Sequence, residues 1–211
     1  ISQEKIGRSF VPLKAILKGT FELIEKLYER KSHVTGVPTG FSKFDEMTAG
    51  LQPSDLIVVA GRPSMGKTSF CLNIAQYAAV HEHTTVAIFS LEMSKEQLVQ
   101  RMLCSEAKVD SHKLRTGYLS DSDWPKLTRG AGILSESPIF IDDTPGITLL
   151  EMRAKARRLK AEQGLGLVII DYLQLVSGRG RAESRQQEIS EISRSLEAMA
   201  KEVSVPVVAL S

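Results

Sequence analysis

Gly61-Arg62-Pro63-Ser64-Met65-Gly66-Lys67-Thr68, followed by Ser69, fits the G-x-x-x-x-G-K-[ST] phosphate-loop pattern. Gly61 and Gly66 let the backbone come close to a polyphosphate, so that its N–H groups can wrap the oxygens. Lys67 then reaches the β- and γ-phosphates, and the Thr68 hydroxyl is available to Mg²⁺. The apolar run Leu56-Ile57-Val58-Val59-Ala60 stands before the loop and a helical stretch stands after it, which aims the positive end of a helix at the same anion. The spacing therefore predicts a nucleotide site with Mg²⁺ as its metal; ATP is the expected substrate, although the spacing does not choose among nucleotides.

Asp171 ends the apolar run Leu167-Val168-Ile169-Ile170, the placement of a carboxylate beside the metal of a phosphate-loop enzyme. A strand-end aspartate that caps the next turn is the plainer alternative. Glu92 lies just beyond Thr85–Ser90, where a carboxylate can accept a proton from, or orient, the water attacking a γ-phosphate. With Lys67 it is the candidate catalytic residue, although a glutamate beside a helix cap is often only solvated. Asp142-Asp143 is a rival pair, but Thr144-Pro145-Gly146 after it reads better as turn chemistry.

Arg179, Arg181 and Arg185 fall in a stretch with two glycines and no apolar anchor, directly after the strand of Asp171. Such a loop suits sequence-tolerant contact with a polyanion, and an ordinary exposed loop is the alternative. No aromatic residue accompanies these arginines, so base stacking is not expected. Arg153, Lys155, Arg157, Arg158 and Lys160 read as the solvated face of a helix. His33, His81, His83 and His112 show no metal-ligand spacing.

Strands and helices must alternate to position these residues. Strands are expected at 55–60, 85–90, 139–142, 167–171 and 205–210. Between them lie helical patterns, several opened by capping signatures: Ser94 with Gln97, Ser120 with Asp123, Thr148 with Glu151, and Ser184 with Gln187. Crossover-length helices between strands predict an α/β domain with a mostly parallel sheet and helices on both faces. Ligands of such sheets bind at the carboxyl ends of the strands, where the phosphate loop, Glu92 and Asp171 all fall. Ahead of this core, Leu13, Ile16, Leu17, Phe21, Ile24, Leu27 and Tyr28 recur at helical spacing and predict one amphipathic helix over 12–30. That helix either covers its own sheet or docks on another subunit, and docking is the reading preferred. Residues 1–33 are thus set apart from a nucleotide core at 34–211.

Bulk properties restrict the rest. The 211 residues suit one large domain with an appendage. A net charge of +2 is too small to draw nucleic acid by a global field, so any polyanion site must be local. Cys71 and Cys104 read as small buried apolar residues, which suits a reducing cytoplasmic setting. No run has the length of a membrane span, and Ile1-Ser2-Gln3-Glu4 is not a signal sequence.

Taken together, the G-R-P-S-M-G-K-T loop, Phe89-Ser90-Leu91-Glu92-Met93-Ser94, Ile170-Asp171-Tyr172-Leu173-Gln174-Leu175, and Arg185-Gln186-Gln187-Glu188 with Glu191-Ile192-Ser193-Arg194-Ser195-Leu196 resemble the C-terminal motor domain of bacterial DnaB-type replicative DNA helicases. The resemblance covers most of residues 35–211 and implies a RecA-like fold. It implies that Lys67 and Thr68 bind phosphates and Mg²⁺, that Asp171 is the Walker-B residue, and that Glu92 is the catalytic glutamate. It further implies that Arg179 and Arg181 face the channel of a ring hexamer joined through the 12–30 helix. Such rings move 5′ to 3′ on single-stranded DNA, with primase and a helicase loader as partners, in the bacterial cytoplasm at the nucleoid. The family's N-terminal domain is not in this sequence, and the sequence stops at Ser211, where the family continues with a sensor glutamine, a second DNA loop and an arginine finger. The polypeptide alone is therefore expected to bind nucleotide and hydrolyse it weakly. A RecA-type recombination or repair ATPase, and a nucleotide-gated assembly module without unwinding, are the alternatives.

Overall fold

The computed structural model describes residues 10–30, 33–172 and 185–211. Its strands are β1 (Leu56–Val59), β2 (Thr85–Ser90), β3 (Ile139–Asp142), β4 (Leu165–Asp171) and β5 (Val207–Leu210). Its helices are α1 (Leu13–Arg30), α2 (Ser42–Thr48), α3 (Lys67–His81), α4 (Lys95–Ala107), α5 (Ser111–Thr116), α6 (Asp123–Glu136), α7 (Leu149–Gln163) and α8 (Arg185–Val203).

All strand pairs are parallel, in the order β1-β5-β4-β2-β3. A sheet of this kind is covered on both faces, and the alternation along each strand shows how. Ala87, Phe89, Val168, Ile170, Val207 and Ala209 point into one core layer, with Met152 and Ala156 of α7 and Leu196 and Met199 of α8. Val86, Ile88, Leu167, Ile169, Val208 and Leu210 point into the other, with Leu72 and Ile74 of α3 and Leu98 and Met102 of α4. A third, smaller cluster of Ala107, Val109 and Leu127 joins α4 to α6.

Local chemistry sets the helix ends. Ser94 and Gln97 form a reciprocal capping box at α4, and Thr148 and Glu151 form another at α7. Gly164 takes φ 70° at the end of α7, a left-handed conformation that glycine adopts at low cost. At α6 the Ser120 hydroxyl donates to Asp123 Oδ2 at 2.7 Å, as the pairing of those residues predicts, although the helix itself begins at Asp123.

Three features depart from the sequence-based expectation. The short helix α5 occupies a stretch with no predicted element; it is capped by Asp110 and closed by Gly117 but buries none of its residues, so no apolar period reveals it. Strand β4 begins at Leu165 rather than 167, because Gly166 lies inside the strand. Strand β5 begins at Val207 rather than 205, since Val205 N–H still donates to Ala200 O at 3.2 Å.

Helix α1 leaves its apolar residues in solvent: Leu13 is 71% exposed, Phe21 62% and Tyr28 80%. Among the described residues no helix is long and apolar enough to cross a membrane.

Candidate functional site

Strand β5 stands between β1, which leads into the phosphate loop, and β4, which ends in Asp171. The loop must therefore arch over the end of β5, and its hydrogen bonds trace the path. Gly61 N–H donates to Ser211 O at 3.3 Å just past β5, and Ser211 N–H donates to Val59 O at 3.0 Å. Farther along, Thr68 Oγ1 donates to Asp171 Oδ2 at 2.8 Å. Lys67 Nζ folds back onto the Gly61 carbonyl. Ser64 at φ 65° and Gly66 at φ 86° make the two left-handed bends, and Gly66 serves as the N-cap of α3. Residues 61–66, from Gly61 to Gly66, are exposed, which leaves the nest of backbone N–H groups open to an anion.

Asp171 is 4% exposed. Burial pushes its carboxyl above the usual range; the Thr68 hydroxyl opposes this, the Glu92 charge adds to it, and the Arg101 and Lys67 cations pull it back. Thr68 and Asp171 thus bring two hard oxygen donors together from opposite sides of β5, a donor set that fits Mg²⁺.

Glu92 is exposed on the turn after β2. Ser90 and Asp171 are register partners, and Leu91 N–H donates to Asp171 O at 2.7 Å, so Glu92 and Asp171 come from neighbouring strand ends. The rival carboxylates are engaged otherwise. Asp142 Oδ1 accepts Thr144 N–H at 3.0 Å, and its other oxygen is paired with Lys155. Asp143 Oδ2 accepts Lys95 N–H at 3.0 Å, which together with other contacts of Lys95 holds its carboxyl below the usual range. The turn reading holds for Asp142, whereas the Asp143 side chain reaches across to α4 instead of capping its own turn.

The remaining predicted positions divide. Arg62, Pro63, Met65 and Ser69 lie on the loop and the first turn of α3. Arg179 and Arg181 fall outside the described residues, as does Ser184; Arg185 opens α8, and its side chain is not described. The basic residues of α7 are not simply solvated: Arg153 and Arg157 both pair with Glu202 of α8, Arg158 with Glu162, and Lys160 Nζ donates to Leu165 O at 2.8 Å. Arg101 goes unnoticed in the sequence, where an arginine on the polar side of a helix carries no signal, yet its charge acts on Asp171. It also lines a cavity of 590 Å³ that opens beside Ser69 and Met93 and passes Gln76 and Gln97.

A parallel sheet with the phosphate loop after its edge strand, an inserted strand and a carboxylate beyond it defines a RecA-like phosphate-loop nucleotide-binding core. The chain belongs to the DnaB-like helicase family: the DnaB-like helicase C terminal domain matches residues 36–211. It is 56% identical over 212 residues to the replicative DNA helicase DnaC of Bacillus subtilis. It is 57% identical over 212 residues to the replicative DNA helicase DnaB of Geobacillus stearothermophilus. Both alignments take in 100% of this chain and 47% of the relative, so the chain spans about half the length of the curated relatives it matches. Among solved structures, the ATPase domain of G40P superposes with a TM-score of 0.89 at 34% identity, covering 96% of this chain and 72% of that one. A DnaB-like replicative helicase, studied with its interactions with primase, gives 0.84 at 34% identity over 96% of this chain and 48% of its own.

Proposed function

We propose that this chain is the ATP-hydrolysing motor of a replicative DNA helicase that moves 5′ to 3′ on single-stranded DNA and separates the duplex ahead of it. The observation that carries the reading is the 2.8 Å bond between Thr68 and Asp171, which joins the phosphate loop to the end of β4. Family membership favours this reading over a recombination ATPase or an assembly module.

In this reading the backbone of Gly61 to Thr68, with the Ser69 N–H, holds the phosphates, and Lys67 neutralises the β- and γ-oxygens. The nucleoside extends into the cavity beside Ser69. Thr68 and Asp171 would hold Mg²⁺, which would supply charge stabilisation at the transferring phosphoryl group. Glu92 orients the attacking water and accepts its proton.

Residues 1–33 serve as a linker and 34–211 as the motor domain. The exposed apolar stripe of α1 docks on a neighbouring copy and closes a ring hexamer. Arg179, Arg181 and Arg185 then line the channel and contact the DNA backbone, a weak basic contribution multiplied around the ring. Primase and a helicase loader act on that assembly in the cytoplasm, at the nucleoid.

The test is ATP turnover by the full-length protein with and without single-stranded DNA, beside its Glu92→Gln variant and a forked-duplex unwinding assay. Turnover should rise with DNA and fall at least about 100-fold in the variant. Turnover that ignores DNA, together with an intact fork, overturns the motor reading.

A further inference from the structure

We propose that Asp143 is a positioning residue for Glu92, its carboxylate fastening the start of α4 and thereby fixing the turn 91–94 on which Glu92 sits. The inference rests on the reading of Glu92 as the base.

Exposed on a turn, Glu92 takes its direction from the backbone beneath it. On the β2 side that backbone is fixed twice: Leu91 N–H donates to Asp171 O at 2.7 Å, and Ser90 Oγ donates to Met93 O at 2.6 Å. On the α4 side the capping box is purely local. Gln97 Oε1 accepts Ser94 N–H at 3.1 Å, and Ser94 Oγ accepts Gln97 N–H at 3.4 Å. A box of this kind shapes the turn but does not tie it to the sheet. Asp143 does so, from 48 residues away: Oδ2 accepts Lys95 N–H at 3.0 Å, and Oδ1 lies 3.5 Å from Lys95 Nζ.

The placement gives this bond its leverage. Strand β2 lies between β4 and β3, so the turn is held by the carbonyl of Asp171 on one side and by the Asp143 carboxylate on the other. Asp143 has its own anchor, because the adjacent Asp142 is paired with Lys155 of α7 and accepts Thr144 N–H at 3.0 Å. Loss of the Asp143 grip lets the turn drift over the end of the sheet. A shift of about 1 Å in a catalytic group costs up to about 100-fold in rate, whereas the phosphate loop lies on other strands and is untouched.

The experiment measures steady-state ATP turnover by the full-length protein on single-stranded DNA. Asp143→Ala should lower kcat about ten-fold and leave KM for ATP unchanged. Asp143→Asn keeps an oxygen that can accept Lys95 N–H, and it should recover most of kcat. In a Glu92→Gln background, Asp143→Ala should take nothing further from the residual rate, since it acts through Glu92. Lys95→Pro, which removes the N–H at the other end of the same bond from the first position of α4, where proline is tolerated, should also lower kcat without raising KM; it tests the proposal if Asp143→Ala does not fold, and a normal kcat in it overturns the proposal. An Asp143→Ala enzyme with normal kcat, or one whose loss is undiminished in the Glu92→Gln background, overturns the proposal. Full turnover by Glu92→Gln itself would instead remove the base reading on which it rests.

Discussion

Cys71 lies one helical turn beyond Thr68 and is 1% exposed. Burial first, and the charge of Asp171 second, push its thiol up from 9.0 to about 12. Cys104, also buried, is shifted in the same direction by burial and by Asp110. Both should resist iodoacetamide at pH 8 in the native protein and react once denaturant opens it; labelling of Cys71 without unfolding would contradict the structure. The linkage has a definite sign. The stability tied to the neutral Cys71 thiol is complete below pH 9.0 and is lost as pH rises towards about 12. At this scale the meeting of the loop and Asp171 in the candidate site was largely legible, because a phosphate loop is contiguous and Asp171 ends an unmistakable apolar run. Asp143 and Arg101 were not. Their partners lie on other elements, at a separation of 48 residues for Asp143 and Lys95, and no local spacing encodes such a meeting.

Helix starts carry their information within four residues, and so the boxes at α4 and α7 could be read directly from Ser94 with Gln97 and Thr148 with Glu151. Thr148→Ala should cost about 1 kcal/mol, because the N–H of Glu151 loses its acceptor and the Glu151 carboxylate loses a donor. In a chain of this size that corresponds to a fall of about 2–4 °C in Tm, measurable by calorimetry. An unchanged Tm would mean that solvent replaces the cap at no cost. Helix α5 escaped detection for the opposite reason. It has sound ends in Asp110 and Gly117, but it buries no residue fully and sets only Leu114 against a core cluster, and amphipathic periodicity is the signal by which a helix is recognised. Strand β4 was read two residues short, since its apolar run was counted from Leu167, whereas Leu165 before Gly166 is already buried in the sheet.

For the molecule as a whole, the two-layered core was legible from uninterrupted apolar strands separated by crossover-length helices, while the partner of α1 was not, because an apolar stripe does not say what it covers. Leu13, Ile16, Phe21 and Ile24 are each more than half exposed, a face that water disfavours. If α1 closes the assembly proposed above, Phe21→Glu with Ile24→Glu abolishes that assembly in sedimentation while the far-UV circular dichroism of the separated chains stays unchanged. Persistence of the assembly would take α1 out of the interface. A last consequence follows from the insertion of β5 between β1 and β4. The span between the strand that carries the phosphate loop and the strand that carries Asp171 is two interstrand steps, about 10 Å, a gauge set by backbone pairing and not by any side chain. Point substitutions can therefore reline this groove but not rescale it, and a variant meant to grip a larger polyanion would have to be made by redesigning the sheet.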